Sequence, residues 1–349
     1  MAVAVRSFAK INIGLVIGAR RDDGFHDLRT VYQTIALHDV VKVELARGTG
    51  IEIRCSHPQV PCDESNTCHR MAERALRLLG RQGRVVVTIE KRLPVQGGLG
   101  AASSNAVATL LALERAAKGR IGWADKLRLA AEVGSDLPLF VVGGTVFGAG
   151  RGEEVLPLPD LPPLELVVAT PKVGISTPAA FAAWDAMPSH PLRSTTRSAK
   201  DGAPAGSLAK LTARGGSDRI VVFSRSVFEW LGDSLTRPGT GAGGRNSGVP
   251  GGKGRRDRAE ALLLDLVRTG IENDFERVVF SEHPELCQVK RVLERHGAKY
   301  ASLSGSGSAL YGIFASRDAA HKAARKVAAA GVPAVATRTL SRAEYWAGL

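Results

Sequence analysis

The sequence predicts an α+β fold built largely on antiparallel sheets. Three observations carry this. The first 60 residues read mostly as strands, the C-terminal part alternates helix with strand, and no internal repeat or doubly wound series of strands and helices runs through the chain.

The elements follow in order. Ala9 to Val16 is apolar and β-branched at many positions, and Val31 to Val43 has the same character, so both are strands. Arg20-Arg21-Asp22-Asp23-Gly24 between them is a charged turn. Asn66 is a helix N-cap; Met71, Ala75, Leu78 and Leu79 then recur at helical spacing until Gly80. Arg84 to Glu90 is a strand, followed by a glycine-rich loop and helices over about Ser103 to Ala117 and Trp123 to Val133. Leu164 to Thr170 is a strand, and Thr177 is expected to cap a short helix containing Phe181 and Trp184. Ala259 to Thr269 and Pro284 to His296 are helical. Strands Ala301 to Leu303 and Ala309 to Phe314 flank the turn Ser304-Gly305-Ser306-Gly307-Ser308. Ser316 caps a helix that ends at Gly331, and Val335 to Thr337 is a last strand.

Composition excludes several classes. A chain of 349 residues with 44% hydrophobic and 23% charged residues is neither collagen, coiled coil nor wholly disordered. No apolar run reaches bilayer-spanning length, and Met1 to Lys10 lacks the apolar core of a secretory signal. A cytoplasmic protein with no membrane partner is therefore expected. Cys55, Cys62, Cys68 and Cys287 form no CxxC pair, and the spacing of Cys62, Cys68 and His69 fits no standard zinc site. They read as structural thiols in a reducing compartment.

The net charge of +13 is unevenly placed. His190 to Arg258 holds 13 Lys and Arg against 5 Asp and Glu. The same stretch is rich in Gly, Ser, Thr and Pro, so it reads as a solvated basic insertion rather than a nucleic-acid arm. Its Pro238 to Lys253 segment has seven glycines among sixteen residues and is expected to be disordered, whereas Ile220 to Leu231 could be an ordered patch.

The most specific segment is Leu93-Pro94-Val95-Gln96-Gly97-Gly98-Leu99-Gly100-Ala101-Ala102-Ser103-Ser104-Asn105-Ala106. It joins a strand to a helix. Small residues let the backbone approach a ligand, and the free N–H groups of the first helical turn make an anion-binding nest. It is not a Walker A loop, since no GK[ST] closes it, nor the dinucleotide GxGxxG fingerprint. Ser103 or Ser104 could add a hydroxyl to a phosphate or to Mg²⁺. Two further residues stand out: Lys10 in an apolar strand and Asp136 in a loop after Gly134 and Ser135. Taken singly, one reads as a strand-edge lysine and the other as a helix cap.

This loop resembles the second motif of the GHMP kinases, the family of galactokinase, homoserine kinase and mevalonate kinase. Phe8-Ala9-Lys10-Ile11-Asn12-Ile13-Gly14-Leu15 resembles the family's first motif and Leu303-Ser304-Gly305-Ser306-Gly307-Ser308-Ala309 its third. Within the family, Arg20-Arg21-Asp22-Asp23-Gly24-Phe25-His26-Asp27-Leu28, Gly134-Ser135-Asp136-Leu137-Pro138-Leu139-Phe140, Thr177-Pro178 with Phe181, and Asn273-Asp274-Phe275-Glu276 resemble the branch that acts on a cytidine-diphosphate-linked methylerythritol.

The resemblance implies a two-domain fold. Residues 1–160 would form a ribosomal-protein-S5-domain-2-like domain, and 161–349 a ferredoxin-like α/β domain carrying the 190–258 insertion. It implies ATP-dependent phosphorylation of the 2-hydroxyl of that substrate, with Mg²⁺, in the non-mevalonate isoprenoid route. Lys10 and Asp136 would be the catalytic pair, Asp136 accepting the hydroxyl proton and Lys10 stabilising negative charge. Pro94, Gly97, Gly98, Leu99, Gly100, Ala101, Ala102, Ser103, Ser104 and Asn105 would hold the nucleotide. Phe25 and Phe181 would sandwich the cytosine, His26 would meet its edge, and Asn12, Thr177, Gly305 and Gly307 would complete the substrate site. Read without the resemblance, the two phenylalanines could be core and the third motif a β-turn. Lys91 and Arg92 could flank the nucleotide or be a solvated pair.

Gln96, Ala101 and Ala102 stand where that branch has glycine, which places nucleotide affinity in question. Two rival readings are open to the same residues. Another GHMP kinase, acting on homoserine, a sugar or a mevalonate, is disfavoured by Asp-Gly-Phe-His. A non-catalytic nucleic-acid binder is disfavoured by intact Lys10 and Asp136 and by the lack of basic and aromatic interleaving.

Overall fold

A computed structural model describes residues 2–187, 219–227 and 272–349. The Pro238 to Lys253 segment and the Ala259 to Thr269 helix expected from sequence lie outside the described residues.

Two long antiparallel strands form the frame: β1 (Val3–Arg20) and β2 (His26–Ala46). Both outrun the apolar segments that mark them in the sequence, because their ladders continue through polar residues such as Arg6, Ser7, Arg29 and Thr30. The register shifts at Phe8/Ala9 and at Ile13/Leu15. Such bulges re-aim side chains, and here they bracket Lys10 and Asn12.

β1 takes one edge of β2. The other edge is shared by β5 (Thr145–Ala149) at Thr30 to Gln33 and β4 (Arg84–Glu90) at Val40 to Ala46. β3 (Ile51–Cys55) pairs with β4 in parallel, the crossover being α1 (Thr67–Leu79). This short parallel pair sits within sheets that are otherwise antiparallel, as the sequence predicts. β6 (Glu154–Pro157) closes the other side. Asn66 does cap α1, accepting from the Cys68 N–H, and Gly80 ends it at φ 58°.

α2 (Ala101–Ala117), α3 (Trp123–Val133) and α4 (Leu137–Val142) cover this sheet around an apolar core containing Met71, Leu110, Leu113 and Phe140. α2 is buried nearly all round, as a central helix must be when its sequence is apolar on every face.

The second sheet is antiparallel, in the order β10-β7-β9-β8: β7 (Glu165–Ala169), β8 (Tyr300–Leu303), β9 (Leu310–Phe314) and β10 (Ala334–Arg338). Around it lie α5 (Thr177–Ala186), α6 (Phe275–Glu282), α7 (Pro284–Arg295) and α8 (Arg317–Ala329). Ser176, not Thr177, occupies the N-cap of α5. Thr177 is already helical, with Pro178 in the first turn where a missing N–H costs nothing.

Two features join the halves. Residues 272–274 run beside β1, with Leu15 N–H bonded to Glu272 O at 2.9 Å and Asp274 N–H to Leu15 O at 2.8 Å. A last helix, α9 (Arg342–Gly348), returns to the first half: Tyr345 packs on Phe8 and donates to Phe140 O at 2.6 Å.

The basic insertion is not wholly solvated. Residues 219–227 are helical, and Ile220, Phe223 and Val227 are buried in the core between β1 and the second sheet.

Candidate active site

One cavity of about 570 Å³ runs between the two halves. One end is walled by the glycine loop and residues 59–68, the other by Phe25, His26 and Phe181, with Lys10 and Asp136 also in its lining.

At the glycine loop, α2 begins at Gly100, whose φ of 70° turns the chain into the helix with no side chain capping it. The first-turn N–H groups are therefore left for an anion. Gly98, at φ 70°, lies so close to Ser304 O that no Cβ could be accommodated. Ser304 Oγ donates to Gly98 O at 3.0 Å, and Ala309 N–H to Gly97 O at 3.1 Å. The second and third motifs thus brace each other backbone to backbone.

The three positions where glycine was expected divide. Ala101 and Ala102 fall in the first turn of α2, whose dihedrals any residue adopts. Gln96 carries a φ of 55°, one of two positive values at non-glycine residues among those described.

Sequence reasoning missed how this loop is held. Asp39 is fully buried at the fork where β4 and β5 part along β2. One carboxylate oxygen accepts the Arg92 and Leu93 N–H groups, both at 2.7 Å; the other accepts Lys91 Nζ at 2.8 Å and Asn105 Nδ2 at 3.0 Å. It ties the strand before the loop to the helix after it. Lys91 is therefore buried and paired, not a solvated lysine, while it still lines the cavity. Since Asp39 can only accept, the Asn105 amide nitrogen faces it, and Asn105 Oδ1 is left buried with no partner. An orphaned acceptor on a cavity wall is what a ligand donor would satisfy. The loop 59–68, which contributes Val60, Pro61 and Asn66 to the lining, was also missed.

Lys10 lies on β1, its backbone N–H bonded to Leu99 O at 3.0 Å. Its Nζ donates to Asn12 Oδ1 at 2.6 Å and stands 3.6 Å from Asp136 Oδ2. Burial lowers the Lys10 pKa from the usual 10.5, and the Asp136 charge works against that. Asp136 sits at the N-cap position of α4 but caps nothing; its other oxygen accepts the Tyr32 hydroxyl at 3.1 Å. Tyr32 is buried, and burial beside Asp136 pushes its phenol well above 10. Nothing in the sequence singles out Tyr32; its contact with Asp136 is made by the fold. Asn12 passes the chain of bonds on to Thr30 Oγ1 at 2.8 Å.

Ser103 lines the cavity; Ser104 does not. The Ser104 hydroxyl is buried and bonded to Ser7 Oγ at 2.7 Å, which removes it as a ligand for a cation. From the third motif, Gly305 O accepts Asn273 Nδ2 at 2.8 Å, and Ser306 Oγ meets Thr177 Oγ1 at 2.9 Å. Gly305 borders the cavity and lies against Lys10 and Asn12, while Gly307 is turned to Leu303 and Ile175 and is absent from the lining.

At the aromatic end, Phe25 is 52% exposed, with the Arg151 guanidinium 4.9 Å from its ring centre. Phe181 is stacked on His26 at 5.1 Å, the planes 6° apart, and meets Phe275 edge-on at 5.0 Å. One face of Phe181 is thus covered by His26 rather than free. His26 is buried, and its Nε2 is taken by Asp185 at 2.7 Å. Any contact from His26 to a base edge falls to Nδ1 or to its backbone.

A glycine-loop nest beside a lysine–carboxylate pair is the equipment of a small-molecule kinase. The model for the N-terminal domain of GHMP kinases matches residues 66–144, and that for their C-terminal part matches 258–333. Among curated relatives, the 4-diphosphocytidyl-2-C-methyl-D-erythritol kinase of Solibacter usitatus is 35% identical, the alignment covering 91% of this chain and 83% of that one. The enzyme of the same name from Moorella thermoacetica is 31% identical, with 96% and 98% covered. A crystal structure titled 4-(cytidine 5'-diphospho)-2C-methyl-D-erythritol kinase superposes with a TM-score of 0.65 at 27% identity, covering 96% of this chain and 98% of that one. Homoserine kinase from Cytophaga hutchinsonii superposes at 0.67 but with 17% identity, over 97% and 95% of the two chains, and so shares the fold. The chain belongs to the GHMP kinases, in the branch whose curated members are named 4-diphosphocytidyl-2-C-methyl-D-erythritol kinase. Among the described residues no helix is long and apolar enough to cross a membrane.

Proposed function

We propose that this protein transfers the γ-phosphoryl group of ATP to the 2-hydroxyl of 4-diphosphocytidyl-2-C-methyl-D-erythritol, giving the 2-phosphate and ADP. The observation that carries the proposal is the placement of Lys10 and Asp136, 3.6 Å apart, in one cavity with the glycine nest and the aromatic pair. The substrate's name comes from the relatives; the site supplies two aromatic rings and an ordered histidine where a pyrimidine base would lie.

When bound, ATP supplies the phosphoryl group and the leaving diphosphate oxygen. The chain's own residues do the rest. The N–H groups opening α2 and the loop backbone at Gly97 to Gly100 hold the phosphates, and Asn105 Oδ1 accepts from the nucleotide. Asp136 takes the hydroxyl proton as the new O–P bond forms. Tyr32 fixes one Asp136 oxygen, so the other faces Lys10 and the acceptor. Lys10, charged and desolvated, neutralises charge on the transferring group, and Asn12 fixes its direction. Toward Mg²⁺, Ser103 would offer one hard oxygen from the cavity wall, which suits an ion that keeps mostly phosphate and water ligands.

Mg²⁺-dependent ADP release, with the cytidyl substrate set beside homoserine, mevalonate and galactose, tests the proposal. Release with the cytidyl substrate alone is expected. Release with a control alone would retain the kinase and discard the base site.

A further inference from the structure

The chemistry above uses nothing from the basic stretch 190–258, yet residues 219–227 are built into the core. Ile220 packs against Gly18, close to the tip of the β1–β2 hairpin that carries Phe25 and His26. Arg219, just ahead of it, has a side chain only 18% exposed. Its guanidinium edge donates to Asp274 Oδ1, and its centre lies 5.6 Å from the Trp184 ring on α5.

Both partners matter to the aromatic end of the cavity. Asp274 is 2% exposed, and its other oxygen accepts the Ile17 N–H of β1 at 2.8 Å. Its neighbours are Asn273, which holds Leu303 O and Gly305 O, and Phe275, which supports Phe181. Trp184 shares α5 with Phe181 and with Asp185, the partner of His26. One guanidinium therefore spans the strand bearing Lys10 and the helix bearing half of the base site. Arginine suits this post because its edge pairs with a carboxylate while its face covers an indole, whereas a lysine ammonium offers neither fork nor plane.

We infer that Arg219 is a positioning residue for the base-binding end of the cleft, setting α5 against β1 through Asp274 and Trp184. The identity of the occupant rests on the proposed function; the mechanical claim does not. Without Arg219, a buried carboxylate loses its cation and α5 loses a fastening, so Phe181 and Asp185 shift relative to Phe25 while the glycine nest stays in place.

Arg219→Gln, Arg219→Lys and Trp184→Leu test this. The expected result for Arg219→Gln is a KM for the cytidyl substrate raised about tenfold, with the ATP KM and kcat within about twofold of the parent. Arg219→Lys, which keeps charge and loses the stacking face, falls between, and Trp184→Leu resembles it. Amide exchange over 177–186 should quicken in Arg219→Gln while the peptide over 93–106 is unchanged. Equal rises in both KM values with exchange raised throughout would show a merely structural role, and unchanged KM and exchange would overturn the inference. Should Arg219→Gln fail to fold, unchanged substrate KM in both other variants would overturn it. A parent enzyme inactive on the cytidyl substrate would sink the proposed function alone, since exchange over 177–186 still decides the role of Arg219.

Discussion

The two ends of the cavity are built on opposite principles. The nucleotide end is backbone: N–H groups and close chain approaches, braced from below by Asp39. The acceptor end is side chain: Phe25, the His26–Phe181 stack, the His26–Asp185 hydrogen bond and the Arg219–Asp274 ion pair. A backbone site tolerates many sequences provided each φ is attainable. A side-chain site fails when one ring is lost. This explains why alanines at 101 and 102 depart from the branch without structural consequence, while the proposed base site depends on a handful of rings.

The proposed catalytic pair, Lys10 and Asp136, lies between the ends and gives the largest expected effect. Asp136→Asn should lower kcat by about 10²–10⁴-fold with ATP binding retained, read by steady-state rates and nucleotide titration. Near-normal turnover would remove Asp136 as the base.

Next, Gly98→Ala should be severe, since φ is positive and Ser304 O blocks a Cβ. A loss above about 1 kcal/mol in denaturant unfolding, with nucleotide binding abolished, is expected. Phe25→Ala tests the other end. Losing a stacking face should raise the cytidyl KM about tenfold, with the ATP KM unmoved, whereas Phe25→Tyr should restore it. If Phe25→Ala raised both KM values equally, the division between the ends would collapse.

pH separates charge from scaffold. Lys10 has its pKa depressed below 10.5 by burial. Turnover that needs its ammonium should therefore fall as pH rises through that lowered value, before 10.5. Stability runs the other way: the folded chain releases this proton earlier than the unfolded one, so the opposition of charged Lys10 to folding is relieved as pH climbs from the folded pKa towards 10.5. A rate profile flat beyond 10.5 would exclude the Lys10 ammonium from the chemistry. The smallest effect is at Gln96. Gln96→Gly relieves a left-handed residue but loosens the unfolded chain, so a net change within about 1 kcal/mol in thermal unfolding is expected.

Much of this was legible in the sequence, for identifiable reasons. α1, β4 and α3 have clear caps or periodicity, and their limits agree with the structure within a residue or two. The glycine loop announces itself because a nest needs small residues in series. Tyr32, Asp39 and Arg219 gave no comparable signal. Each acts through a partner far along the chain: Asp136, the pair Arg92 and Leu93, and Asp274. Only the tertiary fold brings these together. Arg219 was further hidden within a stretch whose composition speaks for solvent, though Ile220, Phe223 and Val227 already show helical spacing.

The return of α9 to the first half has a consequence for biosynthesis. Arg6 donates to Gly348 O across 342 positions, and Phe8, two residues from Lys10, is covered by Tyr345. On the ribosome, the first half can gather its sheet early, but the cover over Phe8 arrives only with residues 342–348. Until then, the strand that carries Lys10 has an apolar flank open to chaperones. A nascent chain stalled short of Tyr345 would present that flank for degradation rather than a finished catalyst, so quality control and catalytic competence share one late contact.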